Sequence, residues 1–314
     1  MELDDIRAFD AWYEKAGVRA TARRTVDEDD TDILKEFFPR RLVPHLGHPL
    51  VAEREQPLQR YLSAQHLYQW LNFTSHFEVA VVCRATQRIA ENRCGLEVSN
   101  TARKNAFKIM VDEGYHSLYS LDVVDQLEKR SGIGALPYDF GPFIRNLDAI
   151  GHGYPQHRRL VQLLQVVVFE TLITSILVDI PKDPDVITVV RDTVSDHAID
   201  EGRHHAYFSA FFRYLWGQLD PGERRLVARF LPDVIVRSLH PATAPAHAAL
   251  RQAGFSEDRA RLIVAESYHR DAVLRGIRFA SAKTVALFED CGVLDIPGAR
   301  EGFVEAGLLE EPPT

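Results

Sequence analysis

The chain has 314 residues, 46% hydrophobic and 26% charged, with a formal net charge of −8 and a pI near 5.9. That composition supplies a full globular core and excludes long disorder, and the acidic balance excludes nucleic acid, whose phosphates require a basic face. Cys83, Cys94 and Cys291 are odd in number and widely spaced, so neither a disulfide framework nor a thiolate zinc site is expected, and a reducing cytoplasm fits best.

Met1 is followed by Glu-Leu-Asp-Asp rather than a basic and then apolar run, which argues against a signal peptide. A polar region runs to about Asp30, then a short helix is predicted near Thr31 to Phe38, followed by a proline-rich connection to Pro57. A long helix is predicted from about Pro57 to Glu91. Its inward stripe reads Leu67, Leu71, Thr74, Glu78, Val81 and Ala85, in steps of four and three with one carboxylate. The second long helix starts near Asn100 or Thr101, both good N-caps, and ends around Ser131 and Gly132. Its stripe is Ala106, Ile109, Glu113, His116, Ser120, Val123 and Leu127.

After a Gly- and Pro-rich connection through Tyr154, a third helix opens at Pro155 and closes before Pro181, with Glu170 the only charge in its apolar centre. Gln165, Glu170 and Asp179 make this most apolar stretch too polar for a membrane span. The fourth helix opens at Asp183-Pro184, an N-cap followed by the favoured N1 proline, and runs to about Gly217. Two more are predicted near Pro221 to Leu239 and Ser256 to Cys291. No strand alternation, Gly-rich phosphate loop or G-x-S-x-G turn is present, so Rossmann and hydrolase readings have no support.

The chemistry concentrates in the fourth helix. His197, Glu201 and His204 fall at i, i+4 and i+7, on a face that continues as Val190, Val194, Phe208, Phe211 and Leu215. Burying two imidazoles and a carboxylate in that stripe costs several kcal/mol unless each regains a partner. A metal ion is the most economical one; a salt-bridged cluster on a half-exposed helix is the alternative. The motif recurs, since Asp112 to His116 matches Asp200 to His204 at four of five positions. Both copies carry a mid-helix glycine, which costs about 1 kcal/mol against alanine. A close approach to the backbone at Gly114 and Gly202 is therefore predicted. Asp112 and Asp200 are expected to accept hydrogen bonds from the ligand imidazoles, with surface exposure competing. A third Glu-x-x-His, Glu266 to His269, lacks both the Asp and the Gly, and His76 and His205 lie off the inward faces.

The order Glu78, Glu113-x-x-His116, Glu170, Glu201-x-x-His204 describes two similar helical hairpins joined by a long crossover. This is the ligand order of a ferritin-like dimetal four-helix bundle. The expected fold is all-α: one domain over 1–314, a core bundle at about 57–219, additional N-terminal helix, and C-terminal helices at about 220–291 covering a cavity. Carboxylates with imidazoles suit iron or manganese better than zinc.

With His197 added, the set Glu78, Glu113, His116, Glu170, His197, Glu201 and His204 resembles the p-aminobenzoate N-oxygenase family of non-heme diiron enzymes. The extra histidine four residues before the last Glu separates that family from plain ferritin-like bundles. The resemblance implies two iron ions, with manganese the lesser choice, O2 activation, and transfer of oxygen to an amine nitrogen in natural-product assembly. Some relatives hydroxylate carbon instead. It also implies a small-molecule substrate, and a homodimer is compatible with it. No reductase motif is present, so an external electron donor such as a reductase or ferredoxin is expected, while charge and the polar interruptions of the apolar stretch predict no nucleic-acid or membrane partner. A carboxylate-anchoring Arg belongs in about the last long helix, where Arg275 and Arg278 share a face; a solvated helix face is the competing reading. From other classes, a ferroxidase or iron-storage bundle and a metal-free helical scaffold stay open.

Overall fold

A computed structural model describes residues 3–27 and 31–310; Asp30, the expected end of the polar N-terminal region, lies outside them. That region is not a polar arm. Leu3, Ile6, Phe9, Trp12 and Ala16 recur in steps of three and four and are all buried. They form two 3-10 turns and the short helices α1 (Trp12–Lys15) and α2 (Gly17–Ala20), which strap across the bundle. The helix expected near 31–38 is only a 3-10 turn, Asp32–Leu34. The chain then extends, because Glu36 N–H donates to the Asp185 carbonyl at 2.9 Å and Ile187 N–H donates to the Glu36 carbonyl at 3.0 Å.

After α3 (Pro49–Ala52), the first long helix comes in three pieces: α4 (Gln56–Phe77), a π-helical turn (Glu78–Cys83) and α5 (Arg84–Ala90). The wider turn shifts the inward face, so that Val82, Thr86 and Ile89 are buried beside the expected Val81 and Ala85. The next helix, α6 (Asn100–Ser131), is capped by the Ser99 hydroxyl, which accepts from Ala102 N–H at 3.1 Å, and is stopped by Gly132 at φ 71°. The crossover contains α7 (Gly141–Asp148), unforeseen in the sequence, and leads to α8 (Arg158–Leu177).

Helix α9 (Thr188–Gln218) starts later than Asp183-Pro184 suggests. Asp183 instead accepts from Asp185 N–H in a turn, while Asp32 from far upstream accepts from Thr188 N–H at 3.0 Å and from its hydroxyl at 2.7 Å. Helix α10 (Pro221–Leu239) has the predicted bounds, set by an Asp220 and Glu223 capping box. Beyond α11 (Thr243–Gln252), the single helix expected near 256–291 is two, α12 (Glu257–Ser267) and α13 (Arg270–Asp290). The break falls at His269, whose ring accepts from Ala272 N–H as the N-cap of α13. The short α14 (Ala299–Glu305) follows.

Helix α4, its π-turn and α5 pack on α6, α8 packs on α9, and α6 meets α9. This is a ferritin-like bundle, with α10 and α13 laid against the outer side of α8. Among the described residues there is no strand beyond the isolated bridge at Glu36 and Val186, and no helix is long and apolar enough to cross a membrane. All three cysteines are free.

Candidate dimetal centre

Each of the four bundle helices contributes inward polar groups from the stripes read in the sequence. Glu78 opens the π-turn, Glu113 and His116 sit mid-α6, Glu170 sits mid-α8, and His197, Glu201 and His204 follow one face of α9. None of the seven is more than 2% exposed. They converge as two groups, Glu78, His116, His197 and Glu201, and Glu113, Glu170, Glu201 and His204, with ligand atoms in each group within 4.8 Å of one another. Glu201 belongs to both.

Within the first group His197 Nε2 lies 3.0 Å from Glu201 Oε1 and 3.6 Å from Glu78 Oε1, and His116 Nδ1 lies 3.4 Å from Glu201 Oε1. Within the second, His204 Nδ1 lies 2.9 Å from Glu113 Oε1, 3.4 Å from Glu201 Oε1 and 3.6 Å from Glu170 Oε2. His116 Nδ1 and Glu113 Oε2, 3.0 Å apart, link the groups. Proximity is not pairing. His204 Nδ1, Glu78 Oε2, Glu113 Oε1, Glu170 Oε2 and Glu201 Oε2 are buried without a hydrogen-bond partner. Such orphaned groups cost roughly 1–3 kcal/mol each, more when charged, which a cation shared among them would offset.

The electrostatics of the protein alone show the same deficit of positive charge. Burial, then the Glu113 and Glu201 carboxylates, hold Glu78 well above the usual carboxylate range. Burial, then Glu201 and Glu113, do the same to Glu170. Burial also opposes ionisation of Glu113 and Glu201, but His204 together with His116 at Glu113 and with His197 at Glu201 outweighs it and brings them below their ordinary values. Burial disfavours a charged His204, and the Glu201 and Glu113 carboxylates override it upward. Four buried carboxylates thus crowd around three imidazoles with too little positive charge among them.

Asp112 and Asp200 lie behind the imidazoles, crossed between helices. His204 Nε2 on α9 is 3.2 Å from Asp112 on α6, and His116 Nε2 on α6 is 3.3 Å from Asp200 on α9. The N-terminal strap supports both. The Trp12 indole N–H donates to Asp112 at 2.8 and 3.0 Å, and Gly17 N–H donates to Asp200 at 3.2 Å, where Arg203 also pairs. A side chain at Gly17 would collide with Asp200, since an added Cβ falls 2.6 Å from its Oδ2. Sequence reasoning missed Trp12 and Gly17; the three-residue apolar spacing from Leu3 to Trp12 was the available signal. It also missed Tyr119, one turn beyond His116, whose ring lies 5.5 Å from His116 and 5.9 Å from His197.

The close approach expected at Gly114 and Gly202 is absent. Both are exposed, and an added Cβ at either meets nothing within 4 Å. The inward turn of each motif belongs to Glu and His, which leaves the glycine on the outer face. Gly114→Ala and Gly202→Ala are accordingly expected to stabilise the fold by about 1 kcal/mol each, read as a higher Tm in thermal unfolding. A lowered Tm would mean that the outer face is packed against something.

Glu266 pairs with His48 at 2.8 Å and His269 caps α13, so the third Glu-x-x-His is not part of the cluster. His76 stacks on Phe140, and His205 turns toward the α8 backbone at Glu170 and Thr171. Arg275 and Arg278 are not brought to the centre either. Arg275 is exposed, and Arg278 donates to the Gly307 carbonyl at 2.9 Å and pairs with Glu310 at 3.0 Å. A cavity of about 210 Å³ reaches Glu78 from the side of α4, α7 and α8, and neither arginine lines it.

A ferritin-like bundle with a buried cluster of four glutamates and three histidines defines a class of protein whose centre could hold metal ions. Residues 19–292 match the p-aminobenzoate N-oxygenase AurF family, and the chain belongs to that family. The 4-aminobenzoate N-oxygenase of Streptomyces thioluteus is 24% identical over 240 residues, covering 72% of this chain and 68% of that protein.

Proposed function

We propose that this chain is a non-heme diiron N-oxygenase that transfers oxygen from O2 to the nitrogen of a small arylamine, in natural-product biosynthesis in the cytoplasm. The observation that carries the reading is the convergence of seven buried carboxylate and imidazole side chains in two groups through Glu201, five of their atoms lacking partners, in a chain of this family. The donor set fits the metal: carboxylates able to bridge, with imidazoles, suit iron ahead of manganese. Glu78, His116, His197 and Glu201 would hold one ion, and Glu113, Glu170, Glu201 and His204 the other.

Iron in those positions supplies O2 activation and the change of oxidation state that side chains lack. The protein supplies the rest. Asp112 and Asp200, accepting from Nε2 of His204 and His116, keep each Nδ1 turned to the carboxylates and ready to ligate. The aromatic walls at Glu78 exclude water and orient a ring. Electrons come from an external donor, a reductase or ferredoxin. In the same reading residues 1–314 work as one domain whose C-terminal helices close the substrate cavity. That cavity favours an organic substrate over ferroxidase or storage activity.

The test is to load the protein with iron, reduce it, and admit ¹⁸O2 with a panel of arylamines and ring-matched non-amines, following products by mass spectrometry. Arylamines are expected to gain labelled oxygen on nitrogen. Label only in the non-amines would make this a carbon hydroxylase at the same centre. Iron oxidation without any organic product would make it a ferroxidase, and no reaction with O2 would overturn the oxygenase reading altogether.

A further inference from the structure

The cavity that ends at Glu78 has a defined chemistry. Trp70 and Phe73 of α4, Phe143 of α7 and Phe169 of α8 line it, with Phe73 packed edge-on against Phe143 at 4.9 Å between ring centroids. Together they make one packed aromatic lining beside Glu78. Its outer part is polar through Gln69, His66 and Ser238, and the Ser238 hydroxyl is buried without a hydrogen-bond partner. Among the described residues no Lys or Arg lines it. A second cavity of about 310 Å³ lies beyond His66, Leu239 and Pro241, which line both, and it too has no Lys or Arg.

His66 does not replace the missing cation. Burial, then the neighbouring His45, pushes its pKa down to about 3, so the ring is neutral at any physiological pH. His240 also lines the cavity and is exposed. Arg275 and Arg278 are on the other side of α13, which shows Val273, Gly276 and Ile277 to the second cavity. A carboxylate on the ring would lose hydration inside the cavity with no Lys or Arg among its lining residues to replace it.

We propose that the substrate is an uncharged arylamine without a carboxylate, its amine directed to Glu78 and a neutral hydrogen-bonding group set among Gln69, His66 and Ser238. The proposal rests on the oxygenase reading above and narrows its substrate class. It sets this chain apart from its Streptomyces relative, whose name specifies an acidic arylamine.

The test compares 4-aminobenzamide with 4-aminobenzoate, a pair matched in shape and differing in charge. Equilibrium dialysis against the iron-loaded, O2-free protein reads binding without chemistry. The amide is expected to bind about 100-fold more tightly, as an uncompensated buried charge demands. Gln69→Arg places a cation in the outer cavity and is expected to raise benzoate affinity about 10-fold or more. Ser238→Ala, which only removes a hydroxyl, is expected to weaken the amide alone and serves if the arginine variant loses helicity.

Benzoate binding as tight as the amide, binding of neither, or Gln69→Arg folding without gaining benzoate affinity would each overturn the proposal. Benzoate that binds tightly and is N-oxygenated removes this inference and leaves the N-oxygenase reading standing. The amide binding as expected, with no oxygen transferred to any amine, does the reverse.

Discussion

Glu201→Ala is expected to abolish iron binding at both positions, whereas His197→Ala is expected to spare one of about two irons per chain. The asymmetry follows from placement. Glu201 belongs to both groups of converging ligand atoms, while His197 belongs only to the group with Glu78 and His116. Removing Glu201 also leaves His197 and His204 without the carboxylate that lies 3.0 and 3.4 Å from them. Metal analysis of iron-reconstituted variants measures this, with circular dichroism to establish that each remains helical. Glu266→Gln combined with His269→Ala, at the pair outside the cluster, is the control and should keep both irons. Two irons retained in Glu201→Ala would show that Glu201 is not shared, and full metal content and activity in His197→Ala would remove that histidine from the ligands.

Asp112→Ala is expected to weaken iron binding about 10- to 100-fold although Asp112 is not among the converging ligands, the usual cost of losing the acceptor behind a ligating imidazole. Without it His204 Nε2 has no partner holding the ring, and the Trp12 indole loses its acceptor in the core. Trp12→Phe, which keeps the ring and deletes the N–H, should give a smaller loss in the same direction. The double variant should cost little more than Asp112→Ala alone, because the indole acts through the carboxylate. Iron affinity from competition with a chelator reads all three. Additive losses would separate the strap from the centre, and an unchanged affinity in Asp112→Ala would reduce that carboxylate to a structural contact.

Periodicity carried far in this chain where buried Glu and His residues replace apolar ones within a helical stripe. Val190, Val194, His197, Glu201, His204, Phe208, Phe211 and Leu215 are all buried on α9, as their spacing requires. The α6 stripe from Ala106 to Leu127 is buried as well. Local rules also located the bounds of α10 and the glycine stop of α6, since both are set within a few residues. They failed where a distant segment supplied the partner. Asp32 displaced Asp183 at the start of α9, and pairing with 185–187 drew residue 36 out of the expected helix. The π-turn at Glu78 had no sequence signal, because the apolar run of residues 79–82 offers an inward side chain to either kind of turn.

By itself the sequence determined four long helices, the inward faces of their Glu and His residues, and the pairing of two Asp-Glu-Gly-x-His motifs. Those are properties of residue spacing along one helix, which geometry converts directly into direction. Only the tertiary structure decided how seven side chains divide around Glu201, that Asp112 and Asp200 cross to the opposite helix, and that Trp12 and Gly17 hold them. It alone set the cavity at Glu78 apart from Arg275 and Arg278, which share a terminal region in the sequence but face away in space. Charge at a site depends on which surfaces meet across helices, and the spacing of residues within one helix carries no record of that meeting.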